Sequence, residues 1–230
     1  MGSLVLSTGA IYNSYCYMVI PLKRDSLLDL LVNAIKSGLH LSWRTKKYLC
    51  AQIVHCVHYL HKNRQMAHLD LKGDNLVFNE DFSLSLIDFG MAELIEDELD
   101  DQTKMTPKYR APEIESDLKY SPGPADIFGV GVCLFMVMFQ APPFKNNFCL
   151  KNMNYIRYSD GENLRFFRSC GIDMDAVPET APFTTIMRTF NRNPLLRPTI
   201  EELYALPFFQ VHQADASVIA ELGSLLSAAI

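Results

Sequence analysis

The chain has 230 residues, of which 49% are hydrophobic and 20% charged, so it is long enough to bury a large core in one domain. Its formal net charge of −5 gives no reason to expect a nucleic-acid partner, which would favour a basic surface. Its six cysteines include no CxxC pair, which fits free thiols in a reducing cytoplasmic or nuclear setting.

The N-terminal part of the chain predicts one strand and two helices. Residues 15–20 have the pattern of a strand, and residues 21–25 form a connector. Residues 26–36 predict a helix rich in leucine. Ser42 is the expected cap of a longer helix that ends near His61, with one apolar face made by Leu49, Ile53, Val57 and Leu60.

Polar residues cluster in the next segment, His68 to Asn75, which reads HLDLKGDN. Short strands are predicted on both sides of the turn at residues 79–81, and the second strand leads to Asp88, thirteen residues after Asn75. Phosphoryl transfer requires a carboxylate that orients a hydroxyl, a cation near the phosphate and oxygen ligands for Mg²⁺. Asp70 is the candidate base and Lys72 the candidate cation. Asn75 and Asp88 are the candidate metal ligands.

The C-terminal half predicts a mostly helical body. Residues 127–144 carry no charge, but their apolar stretch stops at Phe139. A stretch of this length is typical of a buried core helix, so we expect no membrane span. Helices are predicted near residues 125–139, 181–191 and 199–205. Residues 215–228 have apolar side chains at helical spacing, and we expect an amphipathic helix docked on the body rather than one serving a partner.

Five segments occur in the order found in eukaryotic protein kinases: HLDLKGDN (68–75), DFG (88–90), TPKYRAPE (106–113), DIFGVG (126–131) and NPLLRP (193–198). The chain resembles that family, and Lys72 stands where serine/threonine-directed members have a lysine. The resemblance implies an α+β, kinase-like fold with a predominantly helical large lobe and only a remnant of the small-lobe β-sheet.

The resemblance also implies a division of the chain and two structural roles. Residues 1–23 would be a remnant of the small lobe and hinge, residues 24–210 the large lobe, and residues 211–230 a C-terminal amphipathic helix or tail. Asp126 would anchor the backbone of the catalytic loop, although an aspartate at a helix start can also be a simple N-cap. Arg197 would pair with Glu113.

By resemblance, the site would bind ATP and Mg²⁺. Asp70, Lys72 and Asn75 would be catalytic, and Asn75 and Asp88 would hold the metal and the nucleotide. Ile20 would be the gatekeeper beside the adenine, and the backbone of Leu22 and Lys23, with Pro21, would face it. Proline lacks an N–H but keeps its carbonyl, so an acceptor remains.

The sequence departs from the family at its N-terminal end. It contains no glycine-rich strand pair and no strand lysine with its helix glutamate, which in the family cover and hold the phosphates. We therefore expect weak ATP binding and little turnover from this chain alone. Three interpretations remain: a serine/threonine kinase, either weak as this chain or represented by a fragment or incomplete gene model of a working enzyme; a non-catalytic kinase-like scaffold; and, less favoured, a small-molecule kinase.

A second departure is Leu69, where many members have an arginine that binds a phosphorylated activation segment. Leucine makes no charge-assisted hydrogen bond, so we expect no activation by that route. Thr103 and Thr106 are available hydroxyls, but Thr106 stands where the family uses threonine to contact the catalytic Asp and Lys. We expect a structural role for it.

Two further patterns each have two interpretations. The acidic run from Glu93 to Asp101 is typical of a solvated surface, and it could also attract basic protein substrates. His55, His58 and His61 recur every three residues, but no carboxylate or cysteine cluster completes a zinc site, so we expect packing or surface roles.

Overall fold

The computed structural model describes residues 25–100, 106, 109–115, 119–144, 166–168, 170, 172 and 181–226. The predicted strand at 15–20, the predicted hinge residues Ile20, Pro21, Leu22 and Lys23, and Thr103 all lie outside these residues.

Helices dominate the described part of the chain. They are α1 (Leu27–Lys36), α2 (Trp43–His58), α3 (Pro122–Phe139), α4 (Ala181–Thr189), α5 (Ile200–Tyr204) and α6 (Ala216–Leu226). Two antiparallel pairs of short strands complete it: β1 (Met66–Ala67) with β4 (Glu93–Leu94), and β2 (Leu76–Phe78) with β3 (Leu84–Leu86). The predicted predominantly helical fold with little sheet is confirmed for the described residues.

The two N-terminal helices begin at the residues expected from the sequence. Ser26 caps α1 through a reciprocal pair of hydrogen bonds with Asp29, and the Ser42 hydroxyl accepts from the Thr45 N–H at the start of α2. The α-helical part of α2 ends at His58, and the helical path reaches Asn63, close to the predicted end at His61. The path continues after His58 as a π-helical turn over Tyr59–Asn63, which delivers the chain to β1 and the loop that follows.

Helix α3 is the centre of the core, and it is buried on nearly all sides. By length and composition it could cross a membrane, but 83% of it is buried inside the fold, as a core helix requires. It begins at Pro122, three residues before the predicted start, and it ends where Gln140 adopts a left-handed conformation. The simple N-cap interpretation of Asp126 is therefore wrong, because Asp126 lies inside the helix.

A glycine allows α3 to approach α4 closely. A Cβ atom built on Gly131 would lie 1.8 Å from Thr189 Oγ1 and 2.8 Å from Thr189 Cβ, so no other side chain fits there without a shift. Helix α4 ends at Thr189, two residues before the predicted end, where the Thr189 hydroxyl donates to the Ile186 carbonyl. The close approach of Gly131 to Thr189 lets α4 pack directly against α3.

The C-terminal helix α6 packs against α1 and α2, as expected for a docked helix. Val218, Leu222, Leu225 and Leu226 are buried. Ile219, which the sequence pattern places on the same face, is 42% exposed. The Glu221 carboxylate accepts from the Ser42 N–H at 2.7 Å and from the Ser42 and Thr45 hydroxyls at 2.6 Å each, so α6 caps the start of α2.

Candidate active site

The loop between β1 and β2 carries Asp70 at its centre. One carboxylate oxygen, Oδ2, accepts from Lys72 Nζ at 2.5 Å and from Asn75 Nδ2 at 3.2 Å. The other, Oδ1, accepts from the Thr106 N–H at 3.2 Å and from the Thr106 hydroxyl at 2.5 Å. The structure thus brings together three predicted catalytic residues, and the expected contact of Thr106 with Asp70 is present.

Thr106 also accepts a hydrogen bond from Lys72 Nζ at 3.3 Å. Asn75 lies in a 3-10 turn (Gly73–Asn75) and donates to the Asp70 carbonyl at 2.8 Å, which folds the loop back on itself. Lys72, Asn75 and Thr106 are therefore held around one carboxylate by mutual contacts. The predicted structural role of Thr106 agrees with this arrangement.

Asp126 of α3 sets the position of the loop. Its side chain is fully buried. Its two carboxylate oxygens accept the N–H groups of His68 at 2.6 Å and Leu69 at 2.7 Å. Oδ2 also lies 2.9 Å from His61 Nε2. Asp126 therefore anchors the backbone of the loop, in the place that the family resemblance implied.

Leu69 has a backbone φ of +61°, a left-handed conformation that costs an L-residue about 1–2 kcal/mol. Its N–H and that of His68 point to the same carboxylate, so the kink persists because Asp126 binds both donors. The Leu69 side chain is fully buried. Many family members have at this position an arginine that binds the phosphorylated activation segment. This chain has a leucine that is part of the core.

His68 joins the loop to the strand that leads to Asp88. Its Nε2 lies 2.9 Å from the Ile87 carbonyl, and its Nδ1 accepts from the Asp70 N–H at 3.3 Å. These partners require the proton on Nε2 and the lone pair on Nδ1. The His68 ring also contacts the Phe89 ring at a centroid distance of 5.1 Å.

The charge state of Asp70 follows from its neighbours. Burial by itself raises the pKa of this carboxyl group, but the hydrogen bonds from Lys72 and Thr106 and the Lys72 charge outweigh burial. The net effect lowers the pKa of Asp70, so the group is a carboxylate at neutral pH. It can accept a hydrogen bond from a hydroxyl and orient it.

The predicted metal ligands lie on neighbouring segments. Leu76 pairs with Leu86 in the β2–β3 ladder, and the Ile87 N–H donates to the Asn75 carbonyl at 3.0 Å, one residue before Asp88. Asp88 is exposed and left-handed, with a φ of +63°, and its Oδ1 accepts from the Gly90 N–H at 3.4 Å. The metal-binding roles of Asn75 and Asp88 stay predictions.

A buried ion pair supports the segment that follows Thr106. Arg197 donates from Nη1 and Nη2 to the two carboxylate oxygens of Glu113, both at 2.6 Å. It also donates to the Asn191 and Pro124 carbonyls at 2.9 and 2.7 Å, and its guanidinium covers the Phe128 ring. The predicted Arg197–Glu113 pair is present, with the hydrogen bonds that a buried charge needs.

Sequence reasoning missed the role of His61, which was considered only as one of three histidines at regular spacing. His61 is buried beneath the loop and binds Asp126, whereas His55 binds the Phe209 carbonyl at 2.8 Å and His58 stacks on Tyr204. The signal that could have predicted it is spacing, because His61 stands four residues after Val57 and continues the buried face of α2.

Asp101, the last residue of the acidic run, lies outside the described residues, and Glu93 at its start is half-buried. Glu96, Asp97, Glu98 and Asp100 are exposed, and Glu98 has a loose ion pair with Lys119 at 3.9 Å. Exposed pairs of this kind contribute about 0–1 kcal/mol to stability. The solvated interpretation fits these residues, and attraction of basic substrates stays a prediction.

Comparison with known proteins agrees with this geometry. The protein kinase domain family matches residues 6–209. The chain is 33% identical over 181 residues to the serine/threonine-protein kinase ppk34 of Schizosaccharomyces pombe, covering 76% of this chain and 48% of that protein. It is 30% identical over 165 residues to Nek6 of Oryza sativa subsp. japonica, covering 72% and 29%.

A third relative is the serine/threonine-protein kinase PLK1 of Xenopus laevis, 31% identical over 202 residues, with 86% of this chain and 31% of that protein covered. The chain spans less than half the length of each of these three proteins. The match over most of the chain, together with Asp70 and its neighbours on a loop anchored by Asp126, shows that this chain belongs to the protein kinase family, of the eukaryotic serine/threonine type.

Proposed function

We propose that the chain supplies the catalytic loop and its supporting core for a protein serine/threonine kinase. Such an enzyme transfers a phosphoryl group from ATP to a protein hydroxyl. The observation that carries the proposal is the Asp70 carboxylate, which is held by Lys72, Asn75 and Thr106 on a loop fixed to the core. Phosphoryl transfer needs positioning and charge stabilisation more than covalent help, and this cluster offers both.

In this mechanism Asp70 accepts a hydrogen bond from the substrate hydroxyl and aims its oxygen at the phosphorus. Its lowered pKa makes it a weak base, which suits a loose transition state in which orientation matters more than early proton removal. Lys72 places its amino group beside the transferred group, and Thr106 holds the carboxylate in one rotamer. Asp126 keeps the loop from moving during the transfer.

The residues present fit Mg²⁺ and ATP as cofactors. Asn75 commits its amide nitrogen to Asp70, so its amide oxygen is the atom available to a cation, and the exposed Asp88 adds a carboxylate. An amide oxygen and a carboxylate are ligands that Mg²⁺ prefers alongside phosphate oxygens. Bound there, the ion would neutralise phosphate charge.

We propose that transfer by the isolated 230 residues is weak. Without a glycine-rich cover and a strand lysine, few groups of this chain reach the phosphates, and water screens the contacts that remain. The same lack of a glycine-rich cover and strand lysine favours the second candidate function, a kinase-like scaffold that binds partners without turnover.

The proposal also includes three further expectations. The chain divides into residues 1–23, 24–210 and 211–230, its substrates are basic proteins, and its setting is the cytoplasm.

The test is Mg²⁺-dependent phosphoryl transfer from labelled ATP to a generic basic protein substrate. Asp70→Asn keeps the shape of the side chain but removes its charge, and we expect transfer to fall by about 10²–10⁴-fold. Glu80→Gln is the matched control, because it makes the same chemical change at an exposed turn away from the cluster. It is expected to leave the rate unchanged.

The outcomes separate the two candidate functions. Transfer that depends on Mg²⁺ and on Asp70 supports the kinase. Partner binding that Asp70→Asn leaves unchanged, without any transfer, supports the scaffold. Transfer that Asp70→Asn does not reduce contradicts the assigned role of Asp70.

A further inference from the structure

Two of the three regularly spaced histidines contact the segment that joins α5 to α6, and the proposed function does not use them. The His55 ring stacks on the His212 ring, with a centroid distance of 4.7 Å and an interplanar angle of 21°. The His58 ring stacks on the Tyr204 ring at 4.0 Å and 13°. The two rings of α2 therefore contact both ends of residues 204–212, which we call the linker.

His55 lies at the centre of this cluster. Its Nε2 is 2.8 Å from the Phe209 carbonyl, so Nε2 carries the proton and donates it to that oxygen. The Phe209 side chain is fully buried, and the bond from His55 fixes the middle of the linker as well. A second proton on His55 enters at Nδ1 and makes the ring a cation. The bond to Phe209 survives this step, because the cation still donates from Nε2.

The surroundings of His55 oppose a positive charge on its ring. Burial has the largest influence and lowers the pKa of His55. The bond to the Phe209 carbonyl raises the pKa, whereas positive charges on His212 and His58 lower it further. The net result is a pKa below the ordinary value of 6.5. The folded state therefore favours the neutral ring.

Other charged side chains of the elements packed around His55 have partners of their own or lie in water. The partnered ones are Arg44 with Asp215, Lys47 with the Phe208 ring and Arg64 with the Tyr59 hydroxyl. On α5, Glu201 and Glu202 are exposed, and Glu202 caps the start of its own helix. Among the described residues, the charged groups that act on His55 are the other two histidines of the cluster.

Acid pH places like charges face to face in this cluster. Histidine is the side chain whose charge ordinarily changes between about pH 5 and 8. When His55 and His212 are both protonated, two cations stand 4.7 Å apart and repel each other. His212 is exposed and lies in the linker, whereas His55 belongs to a helix packed in the core. The linker is therefore the part that moves away.

We propose that His55 and His212 form a pH-sensitive switch, which keeps the linker and the first turn of α6 packed on α2 when both rings are neutral and releases them in acid. Because the folded pKa of His55 is lowered, the switch contributes its full stability above pH 6.5. This contribution is lost as the pH falls from 6.5 through the folded pKa.

The effect should be confined to the linker and the start of α6. The pKa of Glu221 is lowered below 4.5, so this residue keeps its charge in the same pH range. Its hydrogen bonds to Ser42 and Thr45 continue to hold the later part of α6 on α2. The switch needs neither ATP nor a protein substrate, and it is independent of the proposed function.

The test is amide hydrogen exchange of the full chain at about pH 7 and about pH 5.5, read by mass spectrometry and corrected for the chemical exchange rate. We expect the opening of residues 204–218 to increase by about fivefold at the lower pH, the factor that like charges about 4 Å apart produce in water. Exchange in α3 reports on the core and should change much less.

Three matched variants locate the effect. His55→Gln keeps an amide donor for the Phe209 carbonyl but takes up no proton, and His212→Gln removes the facing charge at an exposed position. The increase should disappear in both. His40→Gln makes the same change at an exposed histidine outside the cluster and should leave the increase intact. Each variant is compared with itself at the two pH values, so a uniform loss of stability cancels.

The outcomes decide the assignment without any measurement of phosphoryl transfer. An increase that disappears in His55→Gln and His212→Gln and persists in His40→Gln supports the switch. Equal opening at the two pH values, an increase that survives either of the first two variants, or an equal increase in α3 overturns it. If His55→Gln does not fold, His212→Gln decides the question by the same criteria.

Discussion

The two carboxylates at the centre of the proposed site lie in different surroundings. Asp70 is 8% exposed, and its oxygens accept hydrogen bonds from Lys72, Asn75 and Thr106. Asp88 is exposed, lies beside the exposed Phe89, and receives one long hydrogen bond from its own turn. The first is fixed by contacts that reach the helical core, whereas the second is positioned by local backbone geometry.

This difference shows which part of the site the described residues hold in place without a ligand. The substrate-orienting side is fixed by buried polar contacts that reach α3, so its geometry exists without any ligand. The metal side depends on what binds to it, because an exposed carboxylate gains its order from a cation and phosphates. The contrast predicts losses of stability that decrease from the buried ion pair to the exposed Asp88.

The buried ion pair should be the most costly element to break. Arg197→Leu leaves Glu113 without its bidentate partner, and we expect the free energy of unfolding to fall by about 3–5 kcal/mol. The control is Arg44→Leu, which breaks an exposed ion pair with Asp215 and should leave the free energy of unfolding nearly unchanged, because water screens that pair. Urea denaturation of both variants measures the difference, and equal losses would contradict the contrast.

The next largest effect should come from the anchor of the catalytic loop. Asp126→Asn keeps one acceptor oxygen but turns an NH₂ group towards the donors that the carboxylate now binds. We expect a loss of about 2–3 kcal/mol, since buried donors are left unpaired. Amide hydrogen exchange at His68 and Leu69 should accelerate more than exchange in α6. Unchanged exchange at both amides would mean that Asp126 does not hold the loop.

A smaller, pH-dependent effect is expected at the partly exposed cap of α2. Burial raises the pKa of Glu221, but hydrogen bonds from Ser42 and Thr45 outweigh it and lower the net value below 4.5. A lowered pKa in the folded state stabilises the fold above pH 4.5, and this contribution is lost as the pH falls through the folded pKa.

Glu221→Gln removes that charge and should cost about 1 kcal/mol at pH 7. It should also flatten the decline of the melting temperature below pH 4.5 relative to the unaltered chain. The control is Glu201→Gln, at an exposed position on α5. A decline in Glu221→Gln as steep as in the unaltered chain would show that other carboxyl groups control the acid transition.

The sequence predicted the fold because its strongest signals are local. Ser42 caps a helix where expected, a helix follows Ser26 as predicted for residues 26–36, and the apolar run ending at Phe139 is the central helix. It also placed Asp70, Lys72, Asn75 and Thr106 through the family motifs. It did not predict the π-helical turn after His58 or the bond between His61 and Asp126. These depend on how α2 meets α3, a contact between residues far apart in the chain.

The smallest effect on stability is expected at Asp88, and it is also the sharpest test of the contrast. Asp88→Asn should change the free energy of unfolding by less than about 0.5 kcal/mol, because the residue is exposed and asparagine tolerates its left-handed backbone. The same change should weaken Mg²⁺-dependent binding of ATP by about tenfold or more, because the carboxylate is the anionic member of the proposed ligand pair.

Titration of Mg²⁺ against a fluorescent ATP analogue, beside a urea melt, measures both effects in one variant. Asp97→Asn, at an exposed acidic position outside the site, should change neither. A large loss of stability in Asp88→Asn would place this residue with Asp70, in the part of the site that the core builds. Unchanged Mg²⁺ dependence would remove Asp88 from the metal site and leave Asn75 without a charged partner there.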